Sequence, residues 1–307
     1  MKSYLKKTFI SAAVLFVLAA SLPFQPLFSG GPALVVVPEG TTGRAAALIF
    51  AREMHAPAAV FSVSFSAASL MYGPAKPGCY RPGRTSAFGA MRALCRGDLA
   101  KVTITEGMTS AGIARLIASS LGKPDADDAI MKELAPAEGT LFPATYLIRT
   151  ADPSQLSDEM KKKFRLAAKD FTREELIIAS IVQKEAKYRK DFRRCAGVIR
   201  NRLSKGMMLE CDSVYQYVLG PVRITKDDIA KDSPYNDFRR KGLPPTPICS
   251  PGLAALEAAK TPEQHAFYYF VAKKTGELYF SKDRHEHFRA VEFFVLNRPN
   301  GFRPKEQ

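Results

Sequence analysis

The stretch FTREELIIASIVQKEAKYRKDF, residues 171–192, limits the possible folds more than any other part of the sequence. Thr172 and Glu175 have the spacing of a helix capping box, and Phe171 and Leu176 have the spacing of a hydrophobic staple. These signals predict a helix that begins immediately after Thr172 and buries an apolar stripe. We therefore expect the region that follows to be mainly helical.

Glu185 lies on the apolar stripe of this helix, one turn beyond Ile181 and Val182. A carboxyl group held against aliphatic side chains loses solvation, so its pKa is expected to rise and it can donate a proton near neutral pH. A glycosidase acid needs this property. The alternative is an ordinary ion pair within the helix, because Arg189 follows four residues later.

The first thirty residues carry an export signal. Three lysines precede an uncharged stretch, residues 8–28, whose length is close to the ~20 residues that cross a bilayer as a helix. Pro23 and Pro26 shorten its apolar part, and the Ala-Ala-Ser at 19–21 also fits a signal-peptidase site, so a retained anchor and a cleaved signal both remain open. In either case the lysines are expected to stay in the cytoplasm while the bulk of the chain is translocated.

The charge of the chain favours a negatively charged partner. There are 45 Lys and Arg residues against 30 Asp and Glu residues, which gives a net charge of +15. Nucleic acid, anionic lipid and an anionic polymer all satisfy this condition. Export argues against nucleic acid and favours a component of the cell envelope.

The cysteines do not indicate a metal site. All five cysteines of the chain lie in the part expected to leave the cytoplasm, where disulfides can persist. An odd number leaves at least one thiol unpaired, and the pairing of the others stays open. Because no C-x-x-C spacing occurs, zinc and thioredoxin-like chemistry have no support.

Residues 33–150 are expected to form one small α/β domain, because a strand–turn–helix pattern recurs there. VVVPEGTTG and VTITEGMTS each place a Glu-Gly turn after a β-branched run, with Thr42 and Thr109 as helix N-caps. Between them, GCYRPGRTSAFGAMRALCRG predicts a short strand, a turn and a helix closed by Gly97.

The rest of the chain predicts helices and one hairpin. A polar stretch, 150–170, leads into helices from about 172, from 191 to 203, and from Asp212 or Ser213 to Gly220. The proline-rich segment 242–252 is expected to be an ordered loop, followed by a helix near 253–259. FYYFVAK and GELYFSK predict a β-hairpin, and a last helix is expected from about 284 to 297.

Several motifs, in this order, resemble the endolytic murein transglycosylase family (MltG or YceG-like). They are ASIVQKEA, NRL, LECDSVYQY, SPYN, GLPPTPICSPG, YYFVA and FSKDRHEH, and they extend through most of 172–297. VVVPEG, VTITEG and EGTLFPATY are similar to the LysM-like module of that family. Each motif alone is weak evidence for the resemblance, whereas all of them together in this order are specific to the family.

The resemblance implies an α+β fold in four parts: a membrane anchor or signal at 1–30, a LysM-like α/β module at 31–150, a mainly helical YceG-like catalytic domain with a small hairpin at 151–300, and a tail at 301–307. It also implies a single-pass protein of the inner membrane, with a cytoplasmic N-terminus and a periplasmic bulk. Peptidoglycan glycan strands and cell-wall synthases are the implied partners, and no cofactor or metal is implied.

In the family, the catalytic acid is the second glutamate of the ASI(V/I)EKE pattern, which matches Glu185. Gln183 replaces the first glutamate, so one candidate acid remains. The sequence also departs from the family at Asp237 and Phe238, where Thr and Tyr commonly follow SPYN. Further departures are Ala144 in place of Asp and Phe288 in place of Asn.

Five further residues are candidates for substrate binding. They are Asp212, Tyr217, Tyr235, Asn236 and His287. Asp212 would also cap a helix, tyrosines commonly pack in cores, and asparagines commonly form turns. His285 and His287 point to different faces of a helix and lack a third ligand, which argues against a metal site.

The mechanism implied by the resemblance uses one carboxyl group twice. Glu185 donates a proton to the MurNAc–GlcNAc glycosidic oxygen and then deprotonates the MurNAc C6 hydroxyl, which closes to a 1,6-anhydro end. A hydrolase would need a second carboxylate, for which Asp212 and Glu210 are the nearest candidates. A non-catalytic, membrane-anchored peptidoglycan-binding protein is the other alternative.

Overall fold

The structure is a computed structural model that describes residues 34–298, 302 and 304. The expected anchor or signal at 1–30 and most of the expected tail at 301–307 lie outside the described residues. In the described part, every helix is too short or too polar to cross a bilayer.

Helices dominate the described chain. The α-helices are α1 Gly43–Glu53, α2 Ala58–Tyr72, α3 Ala87–Arg96, α4 Ser110–Ser120, α5 Asp127–Leu134, α6 Pro153–Ala167, α7 Arg173–Glu185, α8 Arg189–Ser204, α9 Asp212–Leu219, α10 Lys226–Ala230, α11 Leu253–Lys260 and α12 Arg284–Phe294. The strands are β1 Val35–Val37, β2 Gly78–Tyr80, β3 Lys101–Thr103, β4 Thr145–Leu147, β5 Tyr269–Ala272 and β6 Leu278–Ser281. Two short 3₁₀ turns, Pro124–Ala126 and Ala135–Ala137, flank α5.

The strands of the described residues pair into three two-stranded antiparallel sheets, β1–β2, β3–β4 and β5–β6. Val36 is opposite Cys79 in the first, and Val102 is opposite Tyr146 in the second. Phe270 is opposite Phe280 in the third, which confirms the predicted hairpin. The fold is therefore α+β, mainly helical with small antiparallel sheets.

The chain forms two compact units. The described part of the first unit comprises residues 34–103, 115–130 and 145–156, and the second comprises 104–114, 131–144 and 157 onwards. The chain therefore passes between the units several times. The LysM-like assignment and the expected boundaries near 31, 150 and 300 remain predictions.

In the first unit, the predicted helix ends are confirmed. Thr42 Oγ1 accepts a hydrogen bond from the Ala45 N–H at 3.3 Å and so caps α1. Gly97 closes α3 at φ +77°, in the left-handed region that glycine adopts without strain. The core of this unit is a cluster of apolar side chains from β1, α1, α2, β2 and α3.

Helix α2 was not anticipated from the sequence. Its residues, AAVFSVSFSAASLMY, are apolar almost throughout and give no clear helical or strand period. Phe61 and Ala68 are fully buried, whereas Val63, Leu70 and Met71 are exposed. The amphipathic signal on which helix prediction relies is therefore missing here.

In the second unit, the predicted capping box is confirmed. The Glu175 N–H donates to Thr172 Oγ1 at 3.2 Å, and the Thr172 N–H donates to Glu175 Oε2 at 2.7 Å. The apolar side of α7 packs with α8, and α11 packs against both helices. The last helix ends at Phe294, earlier than the predicted 297, and Asn297 has a positive φ of 55°.

Candidate active site

Glu185 is the last residue of α7, and one of its carboxyl oxygens is held by Ser213. Oε1 accepts hydrogen bonds from the Ser213 N–H at 3.2 Å and from the Ser213 hydroxyl at 2.6 Å. Arg189 pairs instead with Glu106, at 3.4 Å. The ion pair between Glu185 and Arg189, which was the simple alternative for this acid, is therefore wrong.

The surroundings of Glu185 favour its protonated form. Burial raises the pKa of Glu185 above its usual value, and the negative charge of Asp212 acts in the same direction. The two hydrogen bonds from Ser213 and the positive charge of Lys184 oppose this effect. The net direction is upward, so the carboxyl keeps its proton to a higher pH than an exposed glutamate does.

Two carboxyl groups from elsewhere in the second unit accept hydrogen bonds from backbone N–H groups at the start of α9. The N-cap is Cys211, whose N–H donates to Asp237 Oδ2 at 2.8 Å. Two residues further on, the Ser213 N–H donates to Glu185 Oε1 at 3.2 Å. The expectation that Asp212 or Ser213 caps this helix is wrong, because the N-cap is Cys211 and both residues are already helical.

Asp237 is a second buried acid beside this turn. Its side chain is only 4% exposed, and its Oδ1 has no hydrogen-bond partner in the described structure. Burial raises the pKa of Asp237 to about 7, opposed by the Cys211 N–H and reinforced by the charges of Glu185 and Asp212. Sequence reasoning did not assign Asp237 a role, and its only signal was the departure after SPYN.

The hydroxyl groups of the two candidate tyrosines are used within the protein. Tyr217 donates to Glu138 Oε2 at 3.0 Å, and the same buried carboxyl accepts from the N–H and hydroxyl of Ser110. Tyr235 forms a 2.7 Å hydrogen bond with Thr246, and its ring lies 5.1 Å from that of Tyr217. Contact of these tyrosines with a substrate remains a prediction.

The side chains of Asn236 and His287 also contact other groups of the protein. The Asn236 side chain is 1% exposed, and its amide donates to the carbonyl groups of Ile229 and Lys231. His287 stacks on Tyr269 with ring centres 5.3 Å apart, and its Nδ1 is buried without a partner. Burial lowers the pKa of His287, which favours the neutral ring. Within residues 34–298, no cluster of three metal-ligating side chains occurs.

Arg202 supports the segment that enters α9, a role that sequence reasoning missed. Its guanidinium donates to the carbonyl groups of Met208 and Leu209, and it forms an ion pair with Glu210 at 3.2 Å. Glu210 adopts a φ of 50°, an unusual conformation for a residue with a side chain. Arg202 therefore fixes the strained residue that immediately precedes the Cys211 cap.

The proline-rich loop, residues 242–252, is fastened directly to α7. Ser180 Oγ accepts from the Ile248 N–H at 3.0 Å, and Gln183 Oε1 accepts from the Gly252 N–H at 3.0 Å. Gln183 therefore positions the loop. Glu185 is left as the only carboxyl group in the last turn of α7.

Comparisons with known proteins identify the family of this chain. The model of the YceG-like family matches residues 35–293. The chain is 34% identical over 182 residues to the endolytic murein transglycosylase of Bacillus subtilis (strain 168), a match that covers 53% of this chain and 49% of the relative. It is also 34% identical over 182 residues to the endolytic murein transglycosylase of Streptococcus pneumoniae (strain D39), covering 53% of this chain and 33% of that protein.

A solved structure extends the likeness to most of the fold. The crystal structure of a YceG-like protein from Listeria monocytogenes is 30% identical, with a TM-score of 0.54, and the match covers 84% of this chain and 98% of that one. The match to the curated relatives spans about half the length of the Bacillus protein and a third of the pneumococcal one. Since the family model covers most of the described residues, the chain belongs to the YceG-like family.

Proposed function

We propose that this protein is an endolytic lytic transglycosylase that cleaves the bond between MurNAc and GlcNAc in peptidoglycan and leaves 1,6-anhydro-MurNAc ends. The observation that carries the proposal is the state of Glu185, a carboxyl group with a raised pKa and one oxygen fixed by Ser213. The names of the Bacillus and pneumococcal relatives give the substrate class.

In the first step, Glu185 acts as a general acid. Both hydrogen bonds from Ser213 go to Oε1, and no described residue donates to Oε2. The proton is therefore carried by Oε2, which transfers it to the glycosidic oxygen as that bond breaks. The MurNAc C1 then gains oxocarbenium character, and the N-acetyl group of the sugar can stabilise it.

In the second step, the ionised Glu185 acts as a general base. The hydrogen bonds from Ser213 and the N-terminus of α9 stabilise the carboxylate that forms when the proton leaves. This carboxylate takes the proton from the C6 hydroxyl of MurNAc, whose oxygen forms a bond to C1. The proton returns to Glu185 and no water is consumed, so one carboxyl group completes the cycle.

The cellular setting is part of the same proposal. Residues 1–30 hold the protein in the inner membrane as a single-pass anchor, and the remainder lies in the periplasm beside the cell-wall synthases. Its substrate is the nascent glycan strand, whose elongation the cut ends. The net charge of +15 suits an anionic wall polymer.

The experiment that tests the reaction is product analysis. The chain is incubated with uncrosslinked glycan strands, and the new ends are weighed by mass spectrometry. A transglycosylase leaves anhydro-MurNAc ends, which are lighter than reducing ends by one water. Reducing MurNAc ends, abolished by Asp212→Asn, would instead identify a hydrolase that uses Asp212 as its second carboxylate.

A further inference from the structure

A cavity lies next to the first turn of α9, within the second unit. It has a volume of about 250 Å³ and is bounded by residues that the proposed mechanism does not use. Val214, which immediately follows the serine that holds Glu185, forms part of its wall. The other lining residues are Pro234, Asp237, Arg240, Lys241, Gly242, Leu243, Pro244 and Pro245.

The cavity wall contains an unsatisfied acid. Asp237 uses Oδ2 to accept from the Cys211 N–H, while Oδ1 is buried without any hydrogen-bond partner in the described structure. A buried polar atom without a partner is costly, and a ligand that supplies a donor removes that cost. The Asp237 side chain is 4% exposed, so the surrounding protein excludes solvent from most of it.

The rim of the cavity is positively charged. Lys241 forms no ion pair among the described residues, and its backbone is fixed by a β-bridge to Met208. Arg240 is tied to Asp232 at 2.7 Å, so its charge is partly balanced. The site therefore combines the ammonium group of the exposed Lys241 side chain with a buried acceptor, Asp237 Oδ1.

The remaining walls are apolar and stiff. Leu243, Pro244 and Pro245 follow one another along one side, and the prolines have few conformations to lose when a ligand binds. A volume of about 250 Å³ is below the ~300–1,000 Å³ of pockets that enclose a whole small molecule. The cavity therefore suits one or two amino-acid residues better than a chain of sugars.

We propose that this cavity binds a short peptide with a free carboxylate, which contacts Lys241, while a peptide N–H donates to Asp237 Oδ1 and an aliphatic side chain packs on Leu243 and the prolines. This inference rests on the proposed function, because peptidoglycan strands carry short peptides on their sugars. It assigns a peptide subsite beside Glu185, so that recognition of the peptide positions the bond to be cut.

Binding of isolated peptides tests the subsite separately from catalysis. The full chain, labelled on its Val and Leu methyl groups, is titrated with a synthetic pentapeptide that ends in a free carboxylate and with the same peptide amidated at its C-terminus. We expect the methyl resonances of Val214 and Leu243 to shift with the first peptide. Amidation, or Lys241→Gln, should weaken binding by roughly threefold to tenfold.

Two controls make the result specific. Lys162→Gln removes an exposed lysine on α6, outside the cavity, and should leave the affinity unchanged. Glu185→Gln should bind the peptide as the wild type does, even though it cannot cleave. If the wild-type chain binds the peptide but produces no anhydro ends from glycan strands, the proposed function is refuted and the subsite stands.

The inference is overturned if the two peptides bind equally, if Lys241→Gln and Lys162→Gln behave alike, or if no methyl group of the cavity responds at millimolar peptide. It is also overturned if peptide-free GlcNAc oligomers shift Val214 and Leu243 while the peptide does not. Those outcomes would leave the transglycosylase proposal standing.

Discussion

Ser213 donates two hydrogen bonds to a single oxygen of Glu185, one from its N–H at 3.2 Å and one from its hydroxyl at 2.6 Å. Among the residues that the structure describes, none donates to the second carboxyl oxygen of Glu185. The arrangement also places the acid at the positive end of α9, where its ionised form is stabilised once the proton has been given away. Ser213 thus moderates the rise in pKa that burial produces.

Ser213→Ala is expected to shift the pH dependence of cleavage to higher pH. The lost hydroxyl stabilises the ionised form, so its removal raises the pKa of Glu185 further and the acid stays protonated to a higher pH. We expect the alkaline limb of the activity profile to move upward by about one pH unit. Ser213→Thr keeps a hydroxyl and should restore the wild-type limb; an unmoved limb in the alanine variant would contradict this role.

Asp237 is expected to make the fold less stable as the pH rises. Its folded-state pKa of about 7 lies above the usual 3.8, so the folded protein binds more protons than the unfolded chain between these values. The free energy of unfolding therefore decreases as the pH rises, by ~2–3 kcal/mol between about pH 5 and pH 8. Asp237→Asn keeps an acceptor for Cys211 and should lack this loss in urea unfolding. Parallel curves for the two proteins would show that Asp237 is not perturbed.

Ser180→Ala is expected to loosen the attachment of the proline-rich loop. The Ser180 side chain is fully buried, and its removal leaves the Ile248 N–H without an acceptor. We expect a loss of about 1–3 kcal/mol in the free energy of unfolding. Ser204→Ala removes an exposed hydroxyl that bonds only to the Asn201 carbonyl, and it should change stability by less than ~0.5 kcal/mol. Equal effects in the two variants would be inconsistent with the contact.

Two helical glycines are expected to respond oppositely to alanine. A Cβ at Gly197 would lie 2.4 Å from the Glu263 carbonyl oxygen, so Gly197→Ala forces the backbone apart and should cost more than ~2 kcal/mol. At Gly112 the nearest atom is 3.5 Å away, so Gly112→Ala should be neutral or stabilising by ~0.5–1 kcal/mol. Thermal unfolding compares the two, and a stable Gly197→Ala would show that α8 is not packed this closely.

The local parts of the fold could be predicted from the sequence. The capping box at Thr172 and Glu175, the closure of α3 by Gly97 and the hairpin of β5 and β6 were all predicted correctly, because each depends on residues only a few positions apart. Helix α2 was missed because its nearly uniform apolar sequence has no period to detect.

The candidate site was only partly predictable. Glu185 was identified by its position on an apolar stripe, but its partner Ser213 is 28 residues away and was weighed only as a helix cap. Asp237 stood out only as a departure after SPYN and Arg202 only as part of the NRL motif. Neither signal gave a role, since the partners of these side chains are backbone carbonyl and N–H groups brought close by folding. Pairings of this kind cannot be read from spacing.

The most direct test of the account is the rate at which Glu185→Gln releases anhydro-MurNAc ends from uncrosslinked glycan. The amide cannot donate or accept the transferred proton, so we expect no detectable product from a variant that unfolds at the wild-type temperature. Glu174→Gln, on the exposed start of the same helix, is the matched control and should retain full activity. Wild-type rates of anhydro-end formation by Glu185→Gln would contradict the assignment of Glu185 as the catalytic acid and base.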